Sequence, residues 1–484
     1  MSKYILIKGD VSGIQEFIFN VKSDKAAKQL KGRSFFIKLL IEVVMLHLFD
    51  KSGIQDSNID KHKISVSGGN FVIKLPEENE NIVAKTQNIF TKALQYTGLN
   101  IAIDYVPYEK SYSDTLTNLN AKIREKKLQF FSDDFDYYIP HHKTNYSTHL
   151  NWLTLTDTLK NTIISNHKTF EIEKNTNNNL SVNHIVTLPG YTVRFKIDKN
   201  PDNIRVFNLE DYLESLFPLH NRNIKQFNDL AKHGSLYRGI NKLGILSMDV
   251  DGLGNIIECL KDETEHKEFD NKLKEFFNHK LRQIITSDSK FNEKIYTVTA
   301  GGDDSFFVGK WNTILDLALT INKAFTSEFK DKKLTISAGF IMVDPKFPVV
   351  RFAELAERAL KKAKYNYDTK GNICIFDEVV QWNKLNKIQK LRDDFRKVLK
   401  GDFTSGKLAK ARTVFLPSLE KNVLGIQDFW QLSYYLRDIK ANHIIAKINN
   451  YLASSVSATN DLEKRNWRLI MPIAARLAEF DKRN

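Results

Sequence analysis

Residues 296–308 read YTVTAGGDDSFFV, which is an apolar segment, a double glycine, two aspartates and a second apolar segment. This pattern predicts a β-hairpin, because glycine adopts the positive φ that a tight chain reversal requires. Earlier, residues 243–254 read LGILSMDVDGLG, an apolar strand that ends at an aspartate and enters a glycine turn before the helical pattern NIIECL. Together these segments predict one βαββ unit.

The same order of elements occurs near the start of the chain. Residues 5–14 read ILIKGDVSGI and precede the helical pattern QEFIF, and residues 64–73 read ISVSGGNFVI, again two apolar strands around a double glycine. A repeat this long is not that of a solenoid and indicates a duplicated domain. The predicted fold class is α+β, with two ferredoxin-like (βαββαβ) palm domains packed together, a small region between them and an α-helical C-terminal bundle.

Composition changes along the chain predict the domain limits. The polar segment 174–183 (KNTNNNLSVN) is typical of a surface loop or linker. Beyond residue 377 the apolar spacing becomes that of long amphipathic helices, at 384–400, 430–450 and 467–480. We therefore predict a first palm at 1–150, a small region without a zinc site at 151–234, a second palm at 235–380 and a helical domain at 381–484.

Composition also limits the class of protein. The hydrophobic fraction of 42% and the charged fraction of 27% are those of an ordinary globular protein, and no apolar run reaches the roughly 18 residues that a spanning helix needs. The first residues lack signal-peptide features, so the expected location is the cytoplasm, with no membrane partner. The two cysteines cannot form a disulfide framework or zinc ribbon, and the net charge of +14 favours a polyanionic partner.

The second copy carries acidic residues suited to metal binding. Asp249 ends a strand, and Asp303 and Asp304 lie on the hairpin expected beside it, so we predict that these three catalytic carboxylates converge and, with Val250, bind metal. Mg²⁺ and Mn²⁺ take oxygen ligands, and two such ions would activate a ribose 3′-hydroxyl and neutralise the triphosphate of a bound nucleotide. The alternative is a plain surface turn, in which an Asp-Asp pair after glycines is merely solvated.

Other residues of the second copy are predicted to bind the nucleotide. The glycines would let phosphates approach the backbone or the start of a helix, and a lysine at the end of the helix around 353–367 would reach a phosphate, although a solvated lysine is nearly as plausible. The predicted nucleotide-binding residues of this copy are Asp251, Gly252, Leu253, Gly254, Gly301, Gly302, Ser337, Lys361 and Lys364.

The first copy lacks most of the acidic residues. Ser12 stands where the second copy has Asp251, and Asn70 and Phe71 replace the aspartate pair, so only Asp10 remains. One carboxylate cannot hold two metals. We therefore predict that this copy binds a second nucleotide or forms the other wall of the site, with pure scaffolding as the alternative. The predicted residues are Asp10, Ser12, Gly13, Ser67, Gly68 and Gly69.

Four segments resemble the large subunit of type III CRISPR effector complexes. They are GDVSGIQEFIF at 9–19, LKGRSFFIKLL at 30–40, MDVDGLG at 248–254 and AGGDDSFFVG at 300–309. The resemblance is close over about 1–110 and 235–380. It implies two palms packed face to face, a GGDD palm that joins ATP into cyclic oligoadenylates when target RNA is bound, a helical tail that contacts small subunits, and guide RNA and backbone subunits as further partners.

The chain departs from that family at two points. It contains no His-Asp dipeptide, so HD nuclease activity is not expected, and it lacks the four cysteines of a zinc site between the palms. A diguanylate cyclase would carry a guanine-reading asparagine where this chain has Ile257, which favours adenine. Two further functions stay open, namely an enzyme that joins ATP to S-adenosylmethionine and a noncatalytic RNA-binding scaffold.

Overall fold

The computed structural model describes residues 4–21, 25–95, 97–109, 111–129, 152–174, 186–195, 204–232, 239–365, 370–399, 403–415 and 425–482. The predicted linker at 174–183 lies, beyond Lys174, outside this part of the chain. Two compact units are present. The first comprises 1–226, 252–307 and 348–350, and the second comprises 227–251, 308–347 and 351–484. The fold is a mixed α/β one with several sheets and a helical C-terminal region, as expected, whereas the predicted domain limits stay predictions.

The first copy forms a four-stranded sheet with the strand order β2-β3-β1-β4, in which β1 pairs antiparallel with both neighbours. Its elements are β1 (Tyr4–Ser12), α1 (Ile14–Phe19), α2 (Ala26–Lys51), α3 (Ile59–His62), β2 (Lys63–Ser67), β3 (Asn70–Pro76), α4 (Glu80–Leu94), β4 (Asn100–Pro107) and α5 (Tyr112–Leu128). Helix α2 is buried on almost every face, so that some of its polar side chains, such as Lys31 and Ser34, are buried as well.

A second sheet, with the order β6-β7-β5-β8, follows the first copy. The elements of this middle region are α6 (Trp152–Ile164), β5 (Thr169–Lys174), β6 (Val186–Leu188), β7 (Tyr191–Arg194), β8 (Ile204–Asn208), β9 (Leu219–His220), β10 (Asn223–Ile224) and α7 (Phe227–Ala231). The ring centroid of Phe35 on α2 lies 5.6 Å from that of Phe170 and 5.9 Å from that of Phe195. Aromatic packing therefore joins this region to α2.

The second copy forms a sheet with the order β12-β13-β11-β14-β15-β16. Its elements are β11 (Leu243–Val250), α8 (Leu253–Glu258), α9 (Glu263–Lys274), a π-helical segment (Glu275–Lys280), α10 (Leu281–Ser287), β12 (Ile295–Gly301), β13 (Asp304–Lys310), α11 (Trp311–Glu328), β14 (Ile336–Val343), α12 (Val349–Tyr365), β15 (Asn372–Ile375) and β16 (Glu378–Gln381). The hairpin predicted around the double glycine is formed by β12 and β13.

Helices make up most of the described residues beyond β16. They are α13 (Trp382–Val398), α14 (Ser405–Thr413), α15 (Ile426–Leu436), α16 (Asn442–Ser457) and α17 (Asp461–Lys482). The single helix expected over 430–450 is wrong, because α15 ends at Leu436 and α16 begins at Asn442. A bidentate ion pair fastens α13 to α17, with Arg392 nitrogens 2.7 and 2.9 Å from the Asp481 carboxylate oxygens.

Within the first unit, helix α2 of the first copy packs on the edge strand β12 of the second, and helix α9 of the second copy packs on the edge strand β2 of the first. Lys31 on α2 is fully buried and donates hydrogen bonds to the carbonyl oxygens of Thr297 on β12, at 2.5 Å, and of Leu216. Ser34 donates to the Val298 carbonyl at 2.5 Å. In the reverse direction, Asp270 on α9 accepts from the Val66 amide on β2 at 3.2 Å. Both otherwise open sheet edges are thereby protected.

Every helix in the described ranges is too short or too polar to cross a membrane.

Lys31→Met should destabilise the protein by about 1–3 kcal/mol, because methionine fills a similar volume but leaves two buried carbonyl oxygens without their donor. The measurement is the midpoint of urea unfolding followed by circular dichroism. Lys51→Met, which removes the same charge from an exposed position at the end of the same helix, is the matched control. Equal midpoints for the two variants would contradict the anchoring role of Lys31.

Candidate active site

The double-glycine turns of the two copies contact each other within the first unit. A Cβ atom built on Gly302 would lie 2.3 Å from Ser67 Oγ and 3.0 Å from the Gly68 nitrogen, and Gly302 has a φ of 82°. A Cβ atom on Gly68 would lie 3.5 Å from the Gly301 oxygen and 3.6 Å from Asp303 Oδ1. No side chain fits at Gly302. The turns were predicted separately, and the structure brings them together.

A cavity of about 710 Å³ opens beside these turns, a size within the range of ligand-binding cavities. Its walls come from both copies and from the middle region, all in the first unit. Helix α2 contributes Lys38, Ile41 and Glu42, and the middle region contributes Phe207, Asp211 and Tyr212. Part of the opposite wall is the π-helical segment Glu275–Lys280, and such segments occur frequently at functional sites.

Charged side chains line this cavity, and several of its lysines contact acidic side chains or carbonyl oxygens. Lys63 Nζ lies 3.7 Å from Glu42 Oε2, Lys274 Nζ lies 2.8 Å from Asp270 Oδ2, and Lys267 donates to the Asp60 carbonyl oxygen. Burial raises the pKa of Asp303 above its ordinary value, and the Lys38 ammonium opposes that rise. The next residue, Asp304, is exposed at the start of β13.

The second unit contains the strand-end carboxylate. Asp249 near the end of β11 forms an ion pair with Lys364 in the last turn of α12, and the two side chains are only 18% and 19% exposed. Burial lowers the pKa of Lys364. The other lysines of this helix pair elsewhere, Lys361 with Glu357 and Lys362 with Asp377. Of the two lysines predicted to bind phosphate, Lys364 is the one beside a predicted catalytic residue.

Asp251 has a structural environment. Its Oδ2 accepts hydrogen bonds from Thr335 Oγ1 at 2.7 Å, from Ser337 Oγ at 2.9 Å and from the Gly371 amide at 2.9 Å. Both Asp251 and Ser337 are buried. The contacts therefore fix the turn after β11 to the start of β14, and the predicted nucleotide-binding role of these two residues stays a prediction.

The glycine turn after β11 leads into helix α8. Gly252 precedes the helix with a φ of 70°, and α8 extends only from Leu253 to Glu258. The position of Gly254 is open, since nothing lies within 4 Å of a Cβ atom built there. On the same helix, Ile257 packs against the apolar core of the first copy. This is the position at which a diguanylate cyclase would carry a guanine-reading asparagine.

The first copy contains an ion pair like that of the second. Lys127 Nζ lies 2.7 Å from Asp10 Oδ2, and Lys127 is near the end of α5, the helix that follows β4. Lys364 has the corresponding position near the end of α12, the helix that follows β14. Sequence reasoning missed Lys127, although continuing the comparison of the two copies past the hairpins would have found it. Ser12 ends β1, and Gly13 follows with a φ of 81°.

The carboxylates of Asp249, Asp303 and Asp304 are chemically suited to a hard cation, but their convergence on one metal site stays a prediction. Asp249 belongs to the second unit and Asp303 and Asp304 to the first, although β13 and β11 are neighbours in the strand order of the sheet. Within the described residues, no group of three or more His, Cys, Asp or Glu side chains is arranged to hold a metal ion. Partly buried carboxylate oxygens are nevertheless the donors that Mg²⁺ and Mn²⁺ prefer.

Two related sheets whose double-glycine turns meet beside a ligand-sized cavity define a duplicated α/β protein with a candidate ligand site. Residues 242–374 match the family described as Cas10/Cmr2, second palm domain, and residues 3–142 match the Csm1 subunit domain B family. These matches together cover more than half of the 484 residues. The family suggested by the motifs is confirmed: the chain belongs to the Cas10/Csm1 family of type III CRISPR large subunits.

Individual relatives agree with this assignment. The chain is 26% identical over 481 residues to a Methanocaldococcus jannaschii protein named CRISPR system single-strand-specific deoxyribonuclease Cas10/Csm1 (subtype III-A), with 79% of this chain and 58% of the relative covered. This chain therefore spans little more than half the length of that relative.

Solved structures show the same fold. The Csm1–Csm4 cassette in complex with one ATP matches with a TM-score of 0.73 and 19% identity, and the cassette in complex with cA4 matches with a TM-score of 0.72 and 18% identity. In both comparisons 98% of this chain and 70% of the other are covered.

Gly302→Ala should lower the unfolding midpoint by the equivalent of about 1–3 kcal/mol, because the added methyl group forces the two turns apart at a positive φ. Thermal unfolding followed by circular dichroism measures this. Gly254→Ala, at an open helical position, should be neutral or slightly stabilising in the same assay. Unchanged melting of the Gly302 variant would show that the turns do not need their close contact.

Proposed function

We propose that this chain is the large subunit of a type III CRISPR antiviral complex and that, with target RNA bound, it joins ATP into cyclic oligoadenylates. The observation that carries the proposal is the cavity of about 710 Å³ shared by the double-glycine turns of both copies, next to Asp303. Relatives whose structures contain ATP or cA4 support a nucleotide in such a site. In this proposal the two copies are ferredoxin-like palms of the GGDEF-like type.

The residues have separate roles in the proposed reaction. Asp249, Asp303, Asp304 and the backbone of Val250 would hold two Mg²⁺ or Mn²⁺ ions, which when bound activate a ribose 3′-hydroxyl and stabilise the departing pyrophosphate. Gly301 and Gly302 leave space for phosphates against the backbone. In the absence of a divalent ion, the Lys364 ammonium keeps the partly buried Asp249 carboxylate charged and in position.

The first copy binds a second nucleotide in this proposal. Its support is the Asp10–Lys127 ion pair, which repeats the Asp249–Lys364 pair although the other acidic residues are missing. A lysine beside a single carboxylate suits the binding of a triphosphate without catalysis. Ser67, Gly68 and Gly69 lie on the wall of the cavity and would contact that nucleotide.

The partners follow from the family. A relative crystallised as a Csm1–Csm4 cassette supports assembly of this chain with the backbone and small subunits of a type III complex in the cytoplasm, and the net charge of +14 supports contact with guide and target RNA. The Methanocaldococcus jannaschii relative is named as a deoxyribonuclease. Because the chain contains no His-Asp dipeptide, we propose nucleotide chemistry rather than HD-type DNA cleavage for it.

Asp303→Ala combined with Asp304→Ala should reduce product formation at least about 100-fold, because the metal ligands of the second copy are lost. The assay uses the reconstituted complex with matched target RNA, ATP and Mg²⁺ or Mn²⁺. Pyrophosphate release and mass spectrometry of the products are measured. Asp331→Ala, an exposed acidic residue away from the hairpin, is the control.

Full activity of the double variant would refute the site. A wild-type complex that binds target RNA but releases no pyrophosphate would favour the noncatalytic scaffold. An adenylated S-adenosylmethionine product would favour the enzyme that joins ATP to S-adenosylmethionine.

Lys127→Met should reduce the number of ATP molecules bound by the complex from two to one, because Asp10 would lose its cation and repel the phosphates. Equilibrium dialysis with radiolabelled ATP measures this stoichiometry. Lys126→Met removes the neighbouring charge on the same helix and should leave both molecules bound. Two bound molecules in the Lys127 variant would exclude a nucleotide at this position.

A further inference from the structure

One lysine of the first copy lies directly over the glycine turn of the second copy. Lys38 Nζ is 2.6 Å from the place where a Cβ atom on Gly301 would lie. The ammonium group occupies the space beside Gly301, and the φ of 141° at Gly301 separately favours glycine. Both residues line the cavity of about 710 Å³.

The docking of α2 fixes the position of this lysine. Lys31, Ser34 and Lys38 have the spacing of one helical face, and the first two bond to the carbonyl oxygens of Thr297 and Val298. From Lys31 to Lys38 the helix rises roughly 10 Å, which approaches the roughly 13 Å that β12 extends from Thr297 to Gly301. Helix α2 and strand β12 therefore advance by similar distances over these residues. As a result, Lys38 on the helix lies at the end of the strand, beside the glycine turn.

The surroundings of Lys38 suit an anionic ligand. Its neighbour across the turn is Asp303, and one helical turn farther along α2 the cavity wall continues with Glu42, which already faces Lys63 at 3.7 Å. Lys274 and Lys267 on the opposite wall contact Asp270 and the Asp60 carbonyl oxygen. Among these four lysines, Lys38 is the one that lies beside Gly301 of the glycine turn, where phosphates can approach the backbone.

We infer that Lys38 is a phosphate-binding residue that the first copy supplies to the glycine turn of the second, where it contacts the polyphosphate of a nucleoside triphosphate. This inference rests on the proposed function and deepens it. The first copy then takes part in substrate binding at the other copy's turn, although it has lost its own acidic pair. The alternative is that Lys38 only neutralises Asp303 and has no contact with ligand.

The test compares binding of ATP and of adenosine to the reconstituted complex by equilibrium dialysis, for the wild type, Lys38→Met and Lys38→Arg. Loss of a charge-assisted contact to phosphate should weaken ATP binding by Lys38→Met at least about tenfold and leave adenosine binding unchanged. Lys38→Arg keeps the charge and should restore ATP binding to within about threefold. Lys51→Met, on the exposed end of the same helix, should behave as wild type.

The inference is overturned if Lys38→Met binds ATP as tightly as the wild type, or loses ATP and adenosine equally. If the Met variant unfolds, the same binding comparison is made between Lys38→Arg, which keeps the charge, and Lys38→Gln, which removes it. The proposed function has a separate readout, which is pyrophosphate release by the wild-type complex. If no pyrophosphate is released but the preference for ATP over adenosine still depends on Lys38, the proposed function fails and the role of Lys38 stands.

Discussion

The structure of the first unit depends on the way in which each copy protects the edge strand of the other. An open strand edge exposes amide and carbonyl groups that must find partners. Lys31, Ser34 and Asp270 provide these partners for β12 and β2. Of these three side chains, Lys31 depends most on its hydrogen bonds, because a fully buried ammonium group is stable only where its N–H donors have acceptors.

The contact between the glycine turns follows from this mutual protection of the edge strands. With α2 fixed along β12 and α9 fixed along β2, the turns that end β2 and β12 come together, and a side chain at Gly302 would collide with the opposite turn. A cavity with walls from both copies and from the middle region is the consequence. The first copy therefore contributes to the site through shape and Lys38, even though Asp10 is the only remaining counterpart of the second copy's aspartates.

Each copy also holds its strand-end aspartate with a lysine from a later helix. The pairs Asp10–Lys127 and Asp249–Lys364 lie in different units and have different surroundings, yet their arrangement is the same. A half-buried carboxylate is unfavourable without a cation nearby. In the first copy, Lys127 therefore stabilises the charge of Asp10. Asp251, in contrast, uses hydrogen bonds from Thr335, Ser337 and Gly371 and stabilises a turn.

The amino-acid sequence by itself determined the strands, the two hairpins, the duplication and the family, because these depend on apolar alternation and glycine turns over a few neighbouring residues. It also predicted a functional role for Lys364, which the structure places beside Asp249. The tertiary structure alone decided that Lys38 reaches Gly301, that Lys127 pairs with Asp10 and that Tyr212 of the middle region lines the cavity. These contacts join segments far apart in the chain, and their formation depends on how helices pack on distant strands, which no local pattern encodes.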